Sequence, residues 1–210
     1  MDEIAYWHPV QDNMGSLQHI LKRMSDILLS ATALVILSPV LLVLYIVLRI
    51  TAGRHVIFKQ ERIGRYGKPF TLYKFRTLKE GTEDEEPLLN PDPDPTLSTP
   101  LQLWLRKRHL DELPQLWNVL KGDMSIVGPR PERQFFIDKI MEVDHGYEYI
   151  FEMRPGLTSE ATLYNGYTDT MEKMIKRLHI DIMYLQNRTL ALDARIMWDT
   201  LVSIVAGKKI

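Results

Sequence analysis

The stretch RKRHLDELPQLWNVLKGDMSIVGPRP, residues 106–131, decides the interpretation of this chain. It places two adjacent carboxylates, Asp111 and Glu112, between a basic cluster and a rigid Gly-Pro-Arg-Pro turn. Pro114 suits the first turn of a helix, and Gly122 suits its end. Adjacent acids among arginines and lysines are typical of sites that handle phosphate, with or without a divalent ion. This stretch therefore predicts a phosphate-handling site beside the start of a short helix.

The two carboxylates also have a purely structural explanation. Acidic side chains near a helix start are stabilised by unpaired N–H groups and by the positive end of the helix dipole, so both could be simple caps. The same helix start can bind a phosphate, however, and Arg106 lies just upstream. Arg130 stands between two prolines, which lowers the entropy that it loses on gripping a phosphate. From the residues alone, both explanations stay open.

Composition excludes several classes of protein. The chain has 210 residues and no cysteine, which rules out disulfides, thiol catalysis and zinc–thiolate sites. Its formal net charge is -1, so overall charge gives no reason to expect a nucleic-acid partner. The six histidines are scattered along the chain, without the close pair that a zinc site needs.

An apolar run, ILLSATALVILSPVLLVLYIVL at residues 27–48, contains no charge. As a straight helix it would be about 33 Å long, enough to cross a hydrocarbon layer of about 30 Å. Pro39 near its centre removes one backbone donor and clashes with the carbonyl of Val35, so a kink or break is expected there. Ser38 can bond to a freed carbonyl and make the break tolerable in lipid.

The charged residues on either side of this run indicate its membrane topology. Basic residues stand on both sides: Lys22 and Arg23 before it, and Arg49, Arg54, Lys59 and Arg62 after it. Positive flanks mark the cytoplasmic side, so two positive flanks place both ends on one face of the membrane. We favour a re-entrant helix–break–helix at Ser38-Pro39 over a single-pass anchor, and a buried core hairpin is the third alternative.

The remaining segments predict one small α/β domain, mostly helical with a small β-hairpin. Strands at 55–62 and 69–77 flank a turn with two glycines, and the alternation of strand side chains puts Lys74 and Arg76 on one face. An acidic, proline-rich loop is expected at 80–100. Helices are predicted at 101–108, 114–121, 131–143, 170–187 and 190–205. The predicted organisation is a polar lead-in at 1–20, a membrane hairpin at 21–50 and a catalytic domain at 51–210.

The sequence closely resembles the bacterial sugar transferase family, the monotopic phosphoglycosyl transferases. The matching motifs are KRMSDILLSATALVILSPV, QERIGRYGKPFTLYKFRT, LDELPQLWNVLKGDMSIVGPRPE and RPGLTS. The resemblance implies transfer of a sugar-1-phosphate from a nucleotide diphosphate sugar, usually a UDP-sugar, to undecaprenyl phosphate, with release of UMP. It also implies a re-entrant membrane helix among membrane lipids, with the catalytic domain on the cytoplasmic face of the bacterial inner membrane.

The resemblance further implies roles for individual residues. Asp111 would be the nucleophile that forms an aspartyl-phosphosugar intermediate, and Glu112 would support it by metal binding or proton handling. Mg²⁺ would sit at these two carboxylates. Lys74, Arg76 and Arg130 fall on matching basic positions, which implies contacts with phosphates or nucleotide.

Two departures from the family's pattern concern the surroundings of the site. His109 stands where relatives often have Ser or Thr, and TSEATLYNGY with Tyr167 replaces TGLAQVNGR. A second hypothesis is a non-catalytic membrane-bound scaffold or regulator of glycan assembly, against which the intact carboxylate pair argues. The identity of the sugar and the nucleotide, the downstream pathway and homodimer formation stay open.

Overall fold

The structure of the protein is a computed structural model that describes residues 10–51, 53–78, 98–165, 168 and 170–206. Within these ranges the chain is mostly helical, as predicted, and has two small sheets, of which only the hairpin was predicted. Most of the predicted loop at 80–100, part of the lead-in and Tyr167 lie outside the described residues. The helices are α1 (Ser16–Thr51), α2 (Pro100–Lys107), α3 (Gln115–Lys121), α4 (Gln134–Met141), α5 (Tyr147–Ile150), α6 (Glu160–Asn165), α7 (Met171–Asn187) and α8 (Leu190–Val205), and the strands are β1 (Ile57–Ile63), β2 (Pro69–Phe75), β3 (Ser125–Val127) and β4 (Gly156–Thr158).

The apolar run lies inside α1, a single helical element of 36 residues that contains Pro39. In the described part of the chain, α1 is the one helix that is long and apolar enough to cross a membrane. The Ser38 hydroxyl donates to the carbonyl of Val35 at 2.8 Å. This is the carbonyl that Pro39 deprives of its usual partner, so the compensation expected from the sequence is present. The re-entrant course of the segment stays a prediction, as does the division of the chain into three parts.

The N-terminal half of α1 is attached to the folded body by polar bonds. The Lys22 ammonium lies 2.5 Å from the Asp193 carboxylate and also donates to a carbonyl of β3. Asp26 accepts from the Ser125 hydroxyl at 2.8 Å and from the Ile126 N–H at 3.0 Å. Each of these bonds joins the helix to residues about a hundred or more positions away, so this half is fixed in register against β3 and α8.

The C-terminal half of α1 is attached by apolar contacts instead. Leu48 is fully buried and packs with Val56, Phe75 and Leu105. Between the two attachments, residues 31–47 of the helix contain no buried residue. Both halves of α1 therefore contact the folded body, while the stretch around Pro39 exposes apolar side chains.

The predicted hairpin is confirmed, with β1 and β2 paired antiparallel so that Phe58 lies opposite Lys74. The turn between them uses Gly67 at a φ of 68°, in the left-handed region that glycine enters without a steric penalty. Asn118 of α3 joins the hairpin to the rest of the domain. Its side chain donates to the Thr71 carbonyl at 2.7 Å and accepts from the Tyr73 N–H at 3.1 Å. These two hydrogen bonds between the Asn118 side chain and the backbone hold α3 beside β2, the strand that carries Lys74.

A close backbone crossing holds the Gly-Pro-Arg-Pro turn. β3 and β4 pair in parallel, and the Gly156 N–H donates to the Pro129 carbonyl at 2.8 Å. A Cβ on Gly128 would lie 2.3 Å from the Arg154 carbonyl oxygen, and a Cβ on Gly156 would lie 2.2 Å from the Gly128 nitrogen. Only glycine fits at either position, so the two turns are locked together.

The five helices predicted at 101–108, 114–121, 131–143, 170–187 and 190–205 are confirmed with small shifts at their ends. The start of α2 is a capping box, in which Thr99 and Gln102 each bond the backbone of the other. The main core lies between α4, α5, α7 and α8 and includes Ile137, Leu178 and Leu185. The sequence did not predict β3, β4, α5 or α6, because segments of three to six residues are too short to show a period.

Candidate active site

The two carboxylates lie in a 3-10 turn, Leu110–Glu112, that links α2 to α3. The chain enters this turn through His109, whose φ of 55° and ψ of 19° are left-handed, a conformation in which histidine is found more often than most residues. Pro114 caps the start of α3, and no side-chain hydrogen bond caps that helix. Within the described residues, neither carboxylate therefore caps α3 through a side-chain hydrogen bond.

Asp111 is buried, and its surroundings disfavour its charge. The residue is only 5% exposed to solvent. Burial, reinforced by the neighbouring charge of Glu112, raises the pKa of Asp111 to about 7, and Lys74 and Arg106 act in the opposite direction. Asp111 is thus a carboxylate whose anion is kept available near neutral pH by two nearby cations.

Lys74 is electrostatically linked to the same pair. Burial lowers the pKa of Lys74 to about 8, while the charges of Glu112 and Asp111 act to raise it. The Lys74 ammonium also lies 4.9 Å from the centre of the Phe58 ring. The Arg76 guanidinium lies 5.4 Å from the same ring, so the prediction that Lys74 and Arg76 share one face of the hairpin is confirmed. Arg76 Nε also donates a hydrogen bond to the His55 carbonyl at 2.9 Å, which fixes the Arg76 side chain.

Arg130 reaches the pair from the Gly-Pro-Arg-Pro turn. Its guanidinium lies 3.6 Å from the Glu112 carboxylate, and its side chain is 44% exposed, against 17% for Glu112. His109 lies in the same surroundings, because burial lowers the pKa of His109 while Glu112 and Arg130 also act on it. The structure thus brings together Asp111, Glu112, Lys74, Arg106 and Arg130, which we call the dyad cluster. Arg76 is outside this cluster and lies near the same Phe58 ring as Lys74.

Three residues behind the dyad cluster hold the turn that carries Arg130. Arg62 donates to the Pro131 carbonyl at 3.1 Å and lies 3.5 Å from the Glu132 carboxylate. Glu132 is also bonded to Arg177 at 2.7 Å, in a pair whose side chains are about 10% exposed. Burial lowers the pKa of Arg62 to about 10, although Glu132 acts to raise it. This buried Arg62–Glu132–Arg177 bridge fixes the backbone on the C-terminal side of Arg130.

The sequence analysis did not assign this bridge to the site. A signal for Arg62 existed, since Phe58, Gln60 and Arg62 alternate along β1 and so share the face of Lys74. No such signal existed for Glu132 and Arg177, which are 45 residues apart and meet only through the packing of α7. Asp111 and Glu112 are the two predicted metal ligands. In the described ranges, no group of three or more metal-binding side chains occurs.

With this geometry in view, comparison with known proteins gives the family. The chain belongs to the bacterial sugar transferase family, whose sequence profile matches residues 17–207. It is 35% identical over 189 residues to a UDP-glucose:undecaprenyl-phosphate glucose-1-phosphate transferase of Klebsiella pneumoniae, covering 89% of this chain and 40% of the relative. It is 33% identical over 205 residues to a UDP-N-acetylgalactosamine-undecaprenyl-phosphate N-acetylgalactosaminephosphotransferase of Aeromonas hydrophila, covering 95% and 48%.

Relatives of similar length to this chain also exist. The exopolysaccharide production protein PSS of Rhizobium leguminosarum bv. phaseoli is 34% identical over 199 residues, which cover 90% of this chain and 98% of the relative. By contrast, the chain spans less than half the length of the Klebsiella and Aeromonas proteins. The residues that the family profile matches, 17–207, include all of α1 except its first residue, together with the whole dyad cluster.

Proposed function

We propose that the protein transfers a sugar-1-phosphate from a UDP-sugar to undecaprenyl phosphate and releases UMP, as a first membrane step of glycan assembly. One observation carries the proposal: a buried carboxylate, Asp111, lies beside a second carboxylate and among cations. The names of the Klebsiella and Aeromonas relatives state a UDP-sugar and undecaprenyl phosphate as their substrates. Their sugars differ, so the proposal names the reaction and leaves the sugar open.

In the proposed first step, an Asp111 oxygen attacks the phosphorus that bears the sugar. The bond from that phosphorus to the bridging oxygen breaks, and UMP leaves with the electron pair. In the second step, an oxygen of the lipid phosphate attacks the same phosphorus, and the Asp111 carboxylate leaves unchanged. Lys74 and Arg106 favour the anionic nucleophile, since both act to lower the pKa of Asp111. A two-step route lets one site serve a soluble and a lipid substrate in turn.

The half-exposed Arg130 is proposed to grip the diphosphate. Its planar guanidinium can bind two phosphate oxygens at once. The buried bridge behind it limits the movement of its backbone, so less entropy is lost on binding. Arg76, beside the Phe58 ring, is proposed to contact the nucleotide or a more distant phosphate.

The two carboxylates fit Mg²⁺, which binds through one or two protein carboxylates together with substrate phosphates and water. Their mutual repulsion is one reason why the pKa of Asp111 is raised, after burial itself, and a divalent cation would relieve it. When bound, the ion would neutralise charge on the diphosphate. Asp111 and Glu112 would hold it.

We propose that α1 enters the cytoplasmic leaflet of the bacterial inner membrane and returns at Ser38-Pro39. Two observations support this course: both halves of α1 contact the folded body, and the stretch between them exposes apolar side chains. A site beside such a segment would meet the phosphate of a polyprenyl lipid at headgroup level, while the soluble nucleotide sugar arrives from the cytoplasm.

The reaction is tested by measuring UMP release from a panel of UDP-sugars with Mg²⁺ and undecaprenyl phosphate. Asp111→Asn keeps the shape of the side chain and removes the nucleophile, so we expect turnover to fall by at least about 1000-fold. The phosphosugar adduct that is trapped when lipid is omitted should also vanish. The matched control is Asp138→Asn, an exposed aspartate on α4. Normal turnover in the Asp111 variant would rule out the nucleophile assignment, and no UMP release with any sugar would rule out the reaction.

The topology is tested by cysteine labelling, which the absence of native cysteine makes simple. Single cysteines at Gln11 and Glu61, both exposed, should react with a membrane-impermeant reagent only from the cytoplasmic side. A cysteine at Val35, which is 73% exposed, should stay unlabelled because it would lie in lipid. Labelling of the two outer positions from opposite sides would establish a single-pass anchor instead.

A further inference from the structure

A second cluster of cations lines a partly open cavity away from the dyad cluster. None of its lining residues belongs to the dyad cluster, and we call it the arginine cavity. The residues that line it are His19, Lys22, Arg23, Asp26, Arg65, Ser125, Glu152, Arg154 and Arg188. The cavity lies between the N-terminal half of α1 and the body of the domain, because four of these residues belong to α1.

Two of the five lysine and arginine side chains already have carboxylate partners. Lys22 pairs with Asp193, and Arg188 pairs with Asp12. The other three, Arg23, Arg65 and Arg154, form no ion pair with a carboxylate in the described residues and use backbone carbonyls instead. Their bonds run from Arg23 to Val119 at 2.8 Å and Leu120 at 2.9 Å, from Arg65 to Glu152 at 2.9 Å, and from Arg154 to Gly122 at 3.0 Å.

These guanidinium groups repel one another. Burial lowers the pKa of Arg154, and the charge of Arg23 lowers it further, while Asp26 acts to raise it. Burial likewise lowers the pKa of Arg65, with Arg154 and Arg188 adding to the shift and Asp12 opposing it. Of the two acids in the lining, Asp26 already uses both oxygens to accept bonds from Ser125 and Ile126. Five lysine and arginine side chains thus share a lining with two acids, one of which is already engaged by Ser125 and Ile126.

Capping of α3 explains part of this arrangement. Arg23 and Arg154 both reach carbonyls at the C-terminal end of α3. That end carries a partial charge of only about −0.5, which does not neutralise two guanidinium groups. It also leaves Arg65 unexplained. Each guanidinium has five N–H donors, and Arg65 and Arg154 each use one in a described bond.

We propose that the arginine cavity binds a phosphate group, carried by an anionic phospholipid headgroup or by a small soluble phosphate. Arginine forks match the geometry of phosphate oxygens, and charge-assisted bonds would relieve the repulsion among the three side chains. The proposal does not depend on the transferase reaction, since none of these residues belongs to the dyad cluster.

The wall of the cavity favours the lipid as the source. His19, Arg23 and Asp26 recur at helical spacing on the face of α1 that meets the domain. The opposite face carries exposed apolar side chains at the same spacing, including Leu17, Met24 and Leu28. A helix with one polar and one apolar face lies at a membrane surface, which would place Lys22 and Arg23 of the polar face near headgroup level. The arginine cavity would then bind the bilayer's own phosphate.

Thermal shift of the purified full chain in neutral detergent tests the proposal with three probes: dioctanoyl phosphatidylglycerol, dioctanoylglycerol with the same tails but no phosphate, and inorganic phosphate. We expect phosphatidylglycerol to raise Tm saturably and dioctanoylglycerol to leave it unchanged. In the Arg65→Gln/Arg154→Gln variant, apparent affinity should fall by about tenfold for each arginine removed. The matched control is Arg195→Gln, whose side chain is 72% exposed on α8.

Each outcome decides between the alternatives. A saturable rise with phosphatidylglycerol alone supports the lipid source, and a saturable rise with inorganic phosphate alone supports the soluble source. No rise with either phosphate, an equal rise with dioctanoylglycerol, or unchanged affinity in the double variant overturns the proposal. If the double variant does not fold, Arg65→Gln alone replaces it, with about a tenfold loss expected and an unchanged affinity again overturning the site.

Discussion

Asp111 and Asp181 are two buried aspartates for which burial raises the pKa to about 7, yet their surroundings differ. Around Asp111, two cations oppose the shift, and one carboxylate, Glu112, adds to it. Around Asp181, one cation, Arg177, opposes the shift, and two carboxylates add to it. One oxygen of Asp181 also has no hydrogen-bond partner in the described residues, and neither has Arg177 Nε.

The two aspartates are almost equally buried, at 5% exposed for Asp111 and 4% for Asp181, so they differ in the charges around them. The neighbour of Asp111, Glu112, is paired with Arg130, whose side chain is 44% exposed, so a phosphate can reach that corner from solvent. Asp181 lines a cavity together with Tyr147, Met174 and Arg130. A raised pKa alone therefore does not identify a catalytic group in this protein. The two cations that oppose the shift at Asp111, Lys74 and Arg106, make the distinction.

The largest effect on stability is expected at Glu132, which connects the two regions. Glu132→Gln removes the carboxylate that is paired with both Arg62 and Arg177. The two buried guanidinium groups then keep only the charges of Glu112 and Asp181 acting on them. We expect a loss of about 3 kcal/mol in the free energy of unfolding, measured by denaturation in detergent. Glu142→Gln, at an exposed position, is the matched control. A Glu132 variant as stable as the control would show that the bridge does not hold the turn.

A smaller effect, on rate and not on stability, is expected at Lys74. Lys74→Gln removes a cation that favours the anionic form of Asp111, so kcat for UMP release should fall by about 100-fold. Stability should stay the same or rise slightly, because burial works against the charge of Lys74. Lys59→Gln, exposed on the same hairpin, is the control. If the free energy of unfolding falls by as much as the activation free energy rises, the role of Lys74 is structural instead.

The smallest effect is expected at Asp181 and depends on pH. Because the pKa of folded Asp181 is raised to about 7 from an ordinary value of 3.8, the folded state holds this proton more tightly than the unfolded chain. The part of the free energy of unfolding that depends on Asp181 therefore falls as pH rises from about 4 to about 7, and it then levels off. Asp181→Asn removes this dependence, so its stability relative to wild type should increase by about 2 kcal/mol between pH 5 and pH 8. A difference that is constant across this range would contradict the raised pKa.

Part of the dyad cluster could be predicted from sequence because Arg106, Asp111, Glu112 and Arg130 lie in one continuous motif. Lys74 lies on a separate hairpin, and only the resemblance to the family linked it to these residues. The features that sequence did not give are those made by packing between distant segments. The Glu132–Arg177 bridge and the contacts of Lys22 with α8 join residues from 45 to 171 positions apart. Such partners leave no local pattern, since each looks like an ordinary charged residue in its own segment.

The crossing of Gly128 and Gly156 has a practical consequence for engineering. Because the two backbones touch, the segment between them is a closed loop whose ends are pinned, and Arg130 stands at one pinned end. An insertion in an exposed turn of this segment, outside the core helices α4 and α5, would be absorbed without moving that arginine. The exposed turn at Glu142 and Val143 is therefore a suitable place to insert an epitope or a fluorescent reporter.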